Sequence, residues 1–164
     1  MEAPAGHRVR HATPRDRDLL AELFRAFVEE QSDWGGMFGV EPGPHDEYAS
    51  FVARWLDAAK RGGELALLAE TASGSPVGFL FASVATRDAF FHERHRGRID
   101  DVWVRPGHRR SGIGRALADA ALAWIRAQGP GRVILQVARR NEAGQAFWRS
   151  LGFGAFMDVM ERDL

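Results

Sequence analysis

Apolar residues along the chain follow two rhythms, and the switches between them outline the fold. Leu19, Leu20, Leu23, Phe24, Phe27 and Val28 recur every three to four positions, which predicts a helix over 14–31. Thr13-Pro14 supplies its entry, a capping hydroxyl followed by a proline suited to the first turn. Tyr48, Phe51, Val52, Trp55, Leu56 and Ala59 form a second stripe that stops at Gly62-Gly63. Residues 32–44 carry four glycines and two prolines between these helices and read as a long loop. The rhythm then shortens. "HRVRH" (7–11), "ELALLAE" (64–70), "PVGFLFASV" (76–84) and 99–104 read as strands, the middle two as a hairpin around "TASGS". Residues 86–97 form a polar and aromatic excursion before the fourth strand. Ile113, Leu117, Ala121, Trp124 and Ile125 mark a third helix closed at Gly129-Pro130, and "RVILQVA" (132–138) suits a buried strand. A fourth helix over 142–151 and a last strand over 153–160 complete the reading. The order β-α-α-β-β-β-α-β-α-β implies a mixed sheet with helices on both faces.

Composition narrows the function. A chain of 164 residues suits one domain over 1–164, able to bury roughly 70% of its unfolded surface. Lys+Arg and Asp+Glu both total 22, so no global field favours nucleic acid or an anionic membrane, and neither is expected as a partner. The absence of cysteine excludes disulfides, a thiolate nucleophile and cysteine-ligated zinc. No apolar run suggests a signal peptide or a membrane span, so the expectation is a cytoplasmic protein without a metal.

Positive charge is concentrated in one place. In "VRPGHRRSGIGRAL" (104–117), Arg105, Arg109, Arg110 and Arg115 surround Gly112 and Gly114 with no acidic residue among them. A strand delivers the chain here to a helix whose first backbone N–H groups have no internal partners. Glycines allow close approach and guanidinium groups add charge, so the turn suits a pyrophosphate. The competing reading is a solvated basic turn with glycines serving backbone geometry alone. A P-loop is excluded because no Gly-Lys pair occurs. A dinucleotide fingerprint is disfavoured by Leu117 and by the lack of an acid at the end of "RVILQVA".

"VWVRPGHRRSGIGRAL", with its core Arg109-x-x-Gly112-x-Gly114, resembles the acetyl-coenzyme A motif of the GCN5-related N-acetyltransferases, the GNAT family. "IDDVWV" before it, "NEAGQAFWRSLGF" (141–153) after the next strand, and "VRHATPRD" near the start extend the resemblance over most of the chain. It implies an α/β GNAT fold: a mixed, mostly antiparallel sheet of six to seven strands flanked by about four helices. Two splayed strands, ending at Val104 and near Ala138, would form the cofactor cleft. Acetyl-CoA is the implied cosubstrate, with no metal. Backbone groups of Val102, Trp103 and Val104 would pair with the pantetheine, and Arg109, Arg110, Ser111, Gly112, Ile113, Gly114 and Arg115 would cradle the pyrophosphate. Asn141 would reach the pantetheine, unless it is a plain helix cap. Arg139 and Arg140 would lie near the ribose phosphate, unless they are simply exposed. The acceptor implied is an amine on a small molecule or peptide, and homodimers are common in the family.

Acetylation needs a neutral amine, hence a base. Asp100 and Asp101 lie on the strand beside the thioester, and alternation sends them to opposite faces. Asp101 is the preferred base and Asp100 its alternative, with a solvated strand end as the bland reading of either. The backbone N–H near Val104 is the family's oxyanion donor. Many members place a tyrosine as general acid where Trp148 stands here, and an indole cannot surrender a proton. Trp148 therefore reads as a packing residue, as does Tyr48. His45, His92 and His95 are further bases or solvated loop histidines. The loop 32–44 and the excursion 86–97 would wall the acceptor site: Trp34, Met37, Phe38, Phe90 and Phe91 offer apolar surface, and Glu29, Glu30, Asp33 and Glu41 favour a cation. Two rival classes stand beside the enzyme: an acetyl-CoA sensor without turnover, and a partner-binding domain without a ligand.

Overall fold

The computed structural model describes residues 6–32, 43–90, 92–160 and 162. β1 (His7–His11) leads through a 3-10 turn (Pro14–Asp16) into α1 (Arg17–Ser32), followed by α2 (His45–Arg61). β2 (Glu64–Thr71), β3 (Pro76–Thr86) and β4 (His95–Val104) come next, then α3 (Ile113–Ala127), β5 (Val133–Ile134) and α4 (Glu142–Ser150). The strands lie in the order β1-β2-β3-β4-β5, antiparallel except for the parallel β4–β5 junction.

Alternation along the strands divides the interior into two cores. Leu65, Leu67, Ala69, Leu80, Ala82 and Ile99 pack with Ile113, Leu117, Ala121 and Ile125 of α3 and with Trp148 of α4. The intervening residues Ala66, Leu68, Phe79, Phe81 and Trp103 face α1 and α2, where they meet Leu20, Leu23, Val52 and Leu56. Each leucine, isoleucine, valine or phenylalanine fully removed from water here contributes roughly 1.5–3 kcal/mol. The α1–α2 face is the aromatic one. Phe24 stacks on Phe51 at 4.6 Å and Trp55 on Phe81 at 4.9 Å, while the Trp55 indole donates to the Leu65 carbonyl at 3.0 Å.

Two local devices set the position of the site. Arg10 donates to Asp16 at 2.7 and 2.8 Å and to Glu70 at 2.6 Å, tying β1, the entry to α1, and β2 together. The Arg10 guanidinium, assisted by Thr13, holds the Asp16 carboxyl down to about 2 despite burial. At the far end of β4, a Cβ on Gly97 would collide with Ile125 and crowd Val133. The missing side chain lets α3 and β5 close against β4 there.

Several expectations need correction. The described residues hold five strands, not six to seven. "RVILQVA" contributes only Val133–Ile134 to the sheet, and no strand forms over 153–160. Phe156, Met157, Val159 and Met160 are exposed, because a two-residue β5 offers no ladder on which a following strand could register. The excursion is shorter than expected, since β4 begins at His95, where it pairs with Thr86 of β3.

Candidate active site

The site is organised by β4, which has a different neighbour at each end. β5 pairs with it only at Gly97 and Arg98, opposite Val133 and Ile134. From Ile99 to Val104, β4 keeps β3 on one side and has no strand on the other among the described residues. The Arg105 N–H donates to the Val77 carbonyl at 2.8 Å. Alternation in an antiparallel ladder then makes Gly78–Val104 a pair without mutual hydrogen bonds, turning the Val104 polar groups, and those of Val102, toward the open side. The Val104 carbonyl does accept a hydrogen bond on that side, from Arg109 Nε at 2.8 Å. The side chains of Val102 and Val104 pack toward the α3 core, and Trp103 is buried toward α1 and α2.

Beyond Val104 the chain makes a 3-10 turn (Pro106–His108) and enters α3 through two left-handed residues, Arg110 at φ 62° and Gly112 at φ 87°. Among the described residues none accepts from the backbone N–H of Arg110, Ser111, Gly112, Ile113, Gly114 or Arg115, and the first helical bond runs from Ala116 to Gly112. A left-handed Gly112 leading directly into the first helical residue, Ile113, at a helix N-terminus is the geometry of an anion nest. The Ser111 hydroxyl donates to the His108 carbonyl at 2.6 Å and stiffens the turn. A Cβ at Gly114 would meet Phe147 at 3.6 Å and Val104 at 4.0 Å, ordinary contacts, so the protein's own packing does not demand this glycine. Arg109 reaches Glu30 of α1 at 2.5 Å, and the Trp103 indole donates to the same Glu30 oxygen at 2.8 Å.

The other end of the open edge carries the carboxylates. The β3–β4 register passes from Phe81↔Asp101 to Ala82↔Ile99, so Asp100 is the extra residue of a β-bulge. The bulge overturns the expectation that Asp100 and Asp101 face opposite ways. Asp101 shares the α1–α2 face with its partner Phe81, and Asp100 turns to that same face. There Asp100 accepts from the Ser83 hydroxyl at 2.8 Å and pairs with Arg98, its side chain only 4% exposed. Asp101 forms no hydrogen bond or ion pair with a described residue. Burial first, then the charge on Asp100, pushes its carboxyl up to about 6, with Arg98 opposing. Glu64, opposite Ser83 on β2, is also raised, by burial and then by Asp100.

The remaining candidates separate. Asn141 caps α4, its Oδ1 accepting from the Gly144 N–H at 2.7 Å, so the capping reading holds and only its amide nitrogen is left for another partner. Arg139 pairs with Asp158 at 2.6 Å and Arg140 is exposed. Trp148 is buried, with Phe147 at 4.8 Å and Phe153 at 5.3 Å, in a packing role. Tyr48 is buried and its hydroxyl accepts from the Gly43 N–H at 2.7 Å. His45 opens α2, His95 opens β4, and His92 precedes it, all exposed. Glu29 pairs with Arg25, and Phe90 is exposed. Asp33, Trp34, Met37, Phe38, Glu41 and Phe91 lie outside the described residues. Sequence reasoning missed Ser83 and Arg98. A polar residue following Phe79 and Phe81 on one strand face was the available signal. Among the described residues no group of His, Asp or Glu is placed to hold a metal, and no helix is long and apolar enough to cross a membrane.

Solved structures share this fold. A tetramutant of the BH1408 protein from Bacillus halodurans superposes with a TM-score of 0.82 at 21% identity, covering 96% of this chain and 99% of that one. AAC(6')-Iy, solved with the bisubstrate analogue CoA-S-monomethyl-acetylneamine, superposes at 0.76 with 18% identity, covering 98% and 99%. The model of the acetyltransferase (GNAT) family matches residues 20–153, and the chain belongs to that family of acyltransferases. It is 35% identical to the mycothiol acetyltransferase of Thermobispora bispora, over 98% of this chain and 51% of that protein. The chain spans about half the length of the curated relatives it matches.

Proposed function

We propose that this chain is an acetyl-CoA-dependent N-acetyltransferase acting on a primary amine of a small molecule or peptide. The row of N–H groups from Arg110 to Arg115, without a partner among the described residues, beside the edge of β4 that no described strand covers, carries the reading. These residues fit the cofactor: the nest suits a pyrophosphate, Gly114 leaves room that packing does not require, and Val102 turns its polar groups outward for the pantetheine amides. The Asn141 amide nitrogen is a further donor. When bound, acetyl-CoA supplies the thioester whose acetyl group passes to the amine nitrogen with release of the thiol.

Asp101 removes the amine proton. A carboxylate raised to about 6 is mostly ionised near neutrality yet more basic than an exposed one, which suits a general base. The outward N–H of Val104 is the donor available for charge developing on the carbonyl oxygen. Trp148, buried in the α3–α4 core, supplies no proton, so the thiolate takes its proton from water. Arg109 must exchange Glu30 for phosphate, which links occupation of the nest to the end of α1. The names of the relatives, a mycothiol acetyltransferase and an enzyme bound to an acetylneamine conjugate, favour a small-molecule acceptor. We place the protein in the cytoplasm, where acetyl-CoA is made and used.

Incubation with acetyl-CoA and a panel of polyamines, aminoglycosides, amino acids and cysteinyl-sugar amines tests the reading by free-thiol release. An amine-dependent release is expected. Saturable binding without release from any amine would instead support a sensor, the reading that Trp148 in the usual tyrosine position favours.

A further inference from the structure

The bulge places two consecutive carboxylates on one face and gives them opposite treatment. Asp100 is almost fully buried and tied to Ser83 and Arg98, whereas Asp101 has no partner among the described residues. Two adjacent carboxylates left alike would share a proton and titrate as a pair, with neither reliably available as base. We infer that Ser83 and Arg98 are positioning residues: they hold Asp100 as a fixed anion, so that Asp101 alone binds and releases the proton taken from the acceptor amine. This rests on the acetyl-transfer reading above.

The assignment follows from the order in which the sheet is built. Ser83 and Arg98 are cross-strand partners, and the bulge lies between Arg98 and Asp101, so one residue each from β3 and β4 reaches Asp100 from the side away from Asp101. The charged groups on this face are few. β4 contributes Arg98 and Asp100, with Arg96 further along the same face and paired with Glu93, β2 contributes Glu64, α2 ends at Arg61, and α1 contributes Glu30, which Trp103 and Arg109 already engage. β3 presents Phe79, Phe81, Ser83 and Ala85 there, none of them charged. Asp101 therefore answers to one near anion and one near cation, and the two pull its proton affinity in opposite directions.

The test is carboxyl-carbon NMR titration of the ligand-free chain, which needs neither cofactor nor acceptor. In the native protein the Asp101 carboxyl carbon titrates near 6. Asp100→Asn moves the Asp101 midpoint down, without restoring the ordinary carboxylate value because burial remains. Arg98→Gln moves it up, by about one pH unit, and Arg98→Lys restores it. Ser83→Ala removes a donor to the Asp100 carboxylate, read as a displaced Asp100 carboxyl-carbon resonance at fixed pH. The acid limb of kcat/KM moves in the same directions. An Asp101 midpoint in the ordinary range in the native protein, or shifts of the same sign in Asp100→Asn and Arg98→Gln, overturns the inference. A well-dispersed amide spectrum for Arg98→Lys keeps the comparison open should Arg98→Gln fail to fold. Midpoints that behave as expected, in a chain that releases no thiol, would retire the transfer reading and leave the carboxylate arrangement standing.

Discussion

The two ends of the open edge of β4 are made of different material. At Val104 the chemistry resides in the main chain: N–H groups from Arg110 to Arg115, aimed by two left-handed residues and a helix start. At Asp101 it resides in a side chain, aimed by a bulge and tuned by burial and by a neighbouring carboxylate. A main-chain site resists most side-chain substitutions and fails only when backbone conformation changes. A carboxylate site depends on single atoms. One end is therefore expected to govern affinity for the cofactor and the other the rate of transfer.

The sharpest division comes from Asp101→Asn. Thiol release should fall by about 10²- to 10⁴-fold with cofactor affinity unchanged. The same variant should be more stable. A carboxyl whose folded value is about 6, against an ordinary 3.8, gives its full contribution below the unfolded value and loses it as pH rises through about 6. The amide carries no such penalty, so urea unfolding at pH 8 should show a gain of up to about 3 kcal/mol that vanishes near pH 4. A loss of stability at pH 8, or a weakened cofactor, would break the separation between the two ends. Gly112→Val addresses the other end. At φ 87° a β-branched residue is strained by about 1–3 kcal/mol, so the turn must reshape. Calorimetry should show coenzyme A affinity reduced about 10- to 100-fold, with kcat at saturation largely preserved. The smallest effect belongs to the link between the ends. Glu30→Gln removes the anion that Arg109 must leave, and a half-exposed ion pair of this kind is worth about 0.2–1 kcal/mol. Coenzyme A should bind about two- to five-fold tighter. Weaker binding would mean that Glu30 orders the turn and does not compete with phosphate.

These differences also explain what could be read from the chain beforehand. The nest was legible because its requirements are local: Gly112 must take a positive φ, and arginines crowd a strand-to-helix turn without acids. The helices were legible from their stripes, and α2 stops at Gly62 as its sequence predicts. The carboxylate end was not. Alternation assigned Asp100 and Asp101 to opposite faces, which is correct for an unbroken strand, but the bulge arises from pairing with β3 and leaves no local mark. Glu30 read as a wall for a cationic acceptor, whereas it engages Trp103 and Arg109 across more than seventy residues of chain. The strand expected over 132–138 shortened to two residues because its neighbour diverges from it, a property of the sheet and not of "RVILQVA".

Amide proton–nitrogen spectra recorded during titration with coenzyme A show whether the main chain at the start of α3 holds the cofactor. The largest saturable shifts should fall on Arg110 through Arg115, followed by Val102 and Val104, with Asp100 and Asp101 moving little. Shifts centred elsewhere, or no saturation at the mouth of α3, would contradict it.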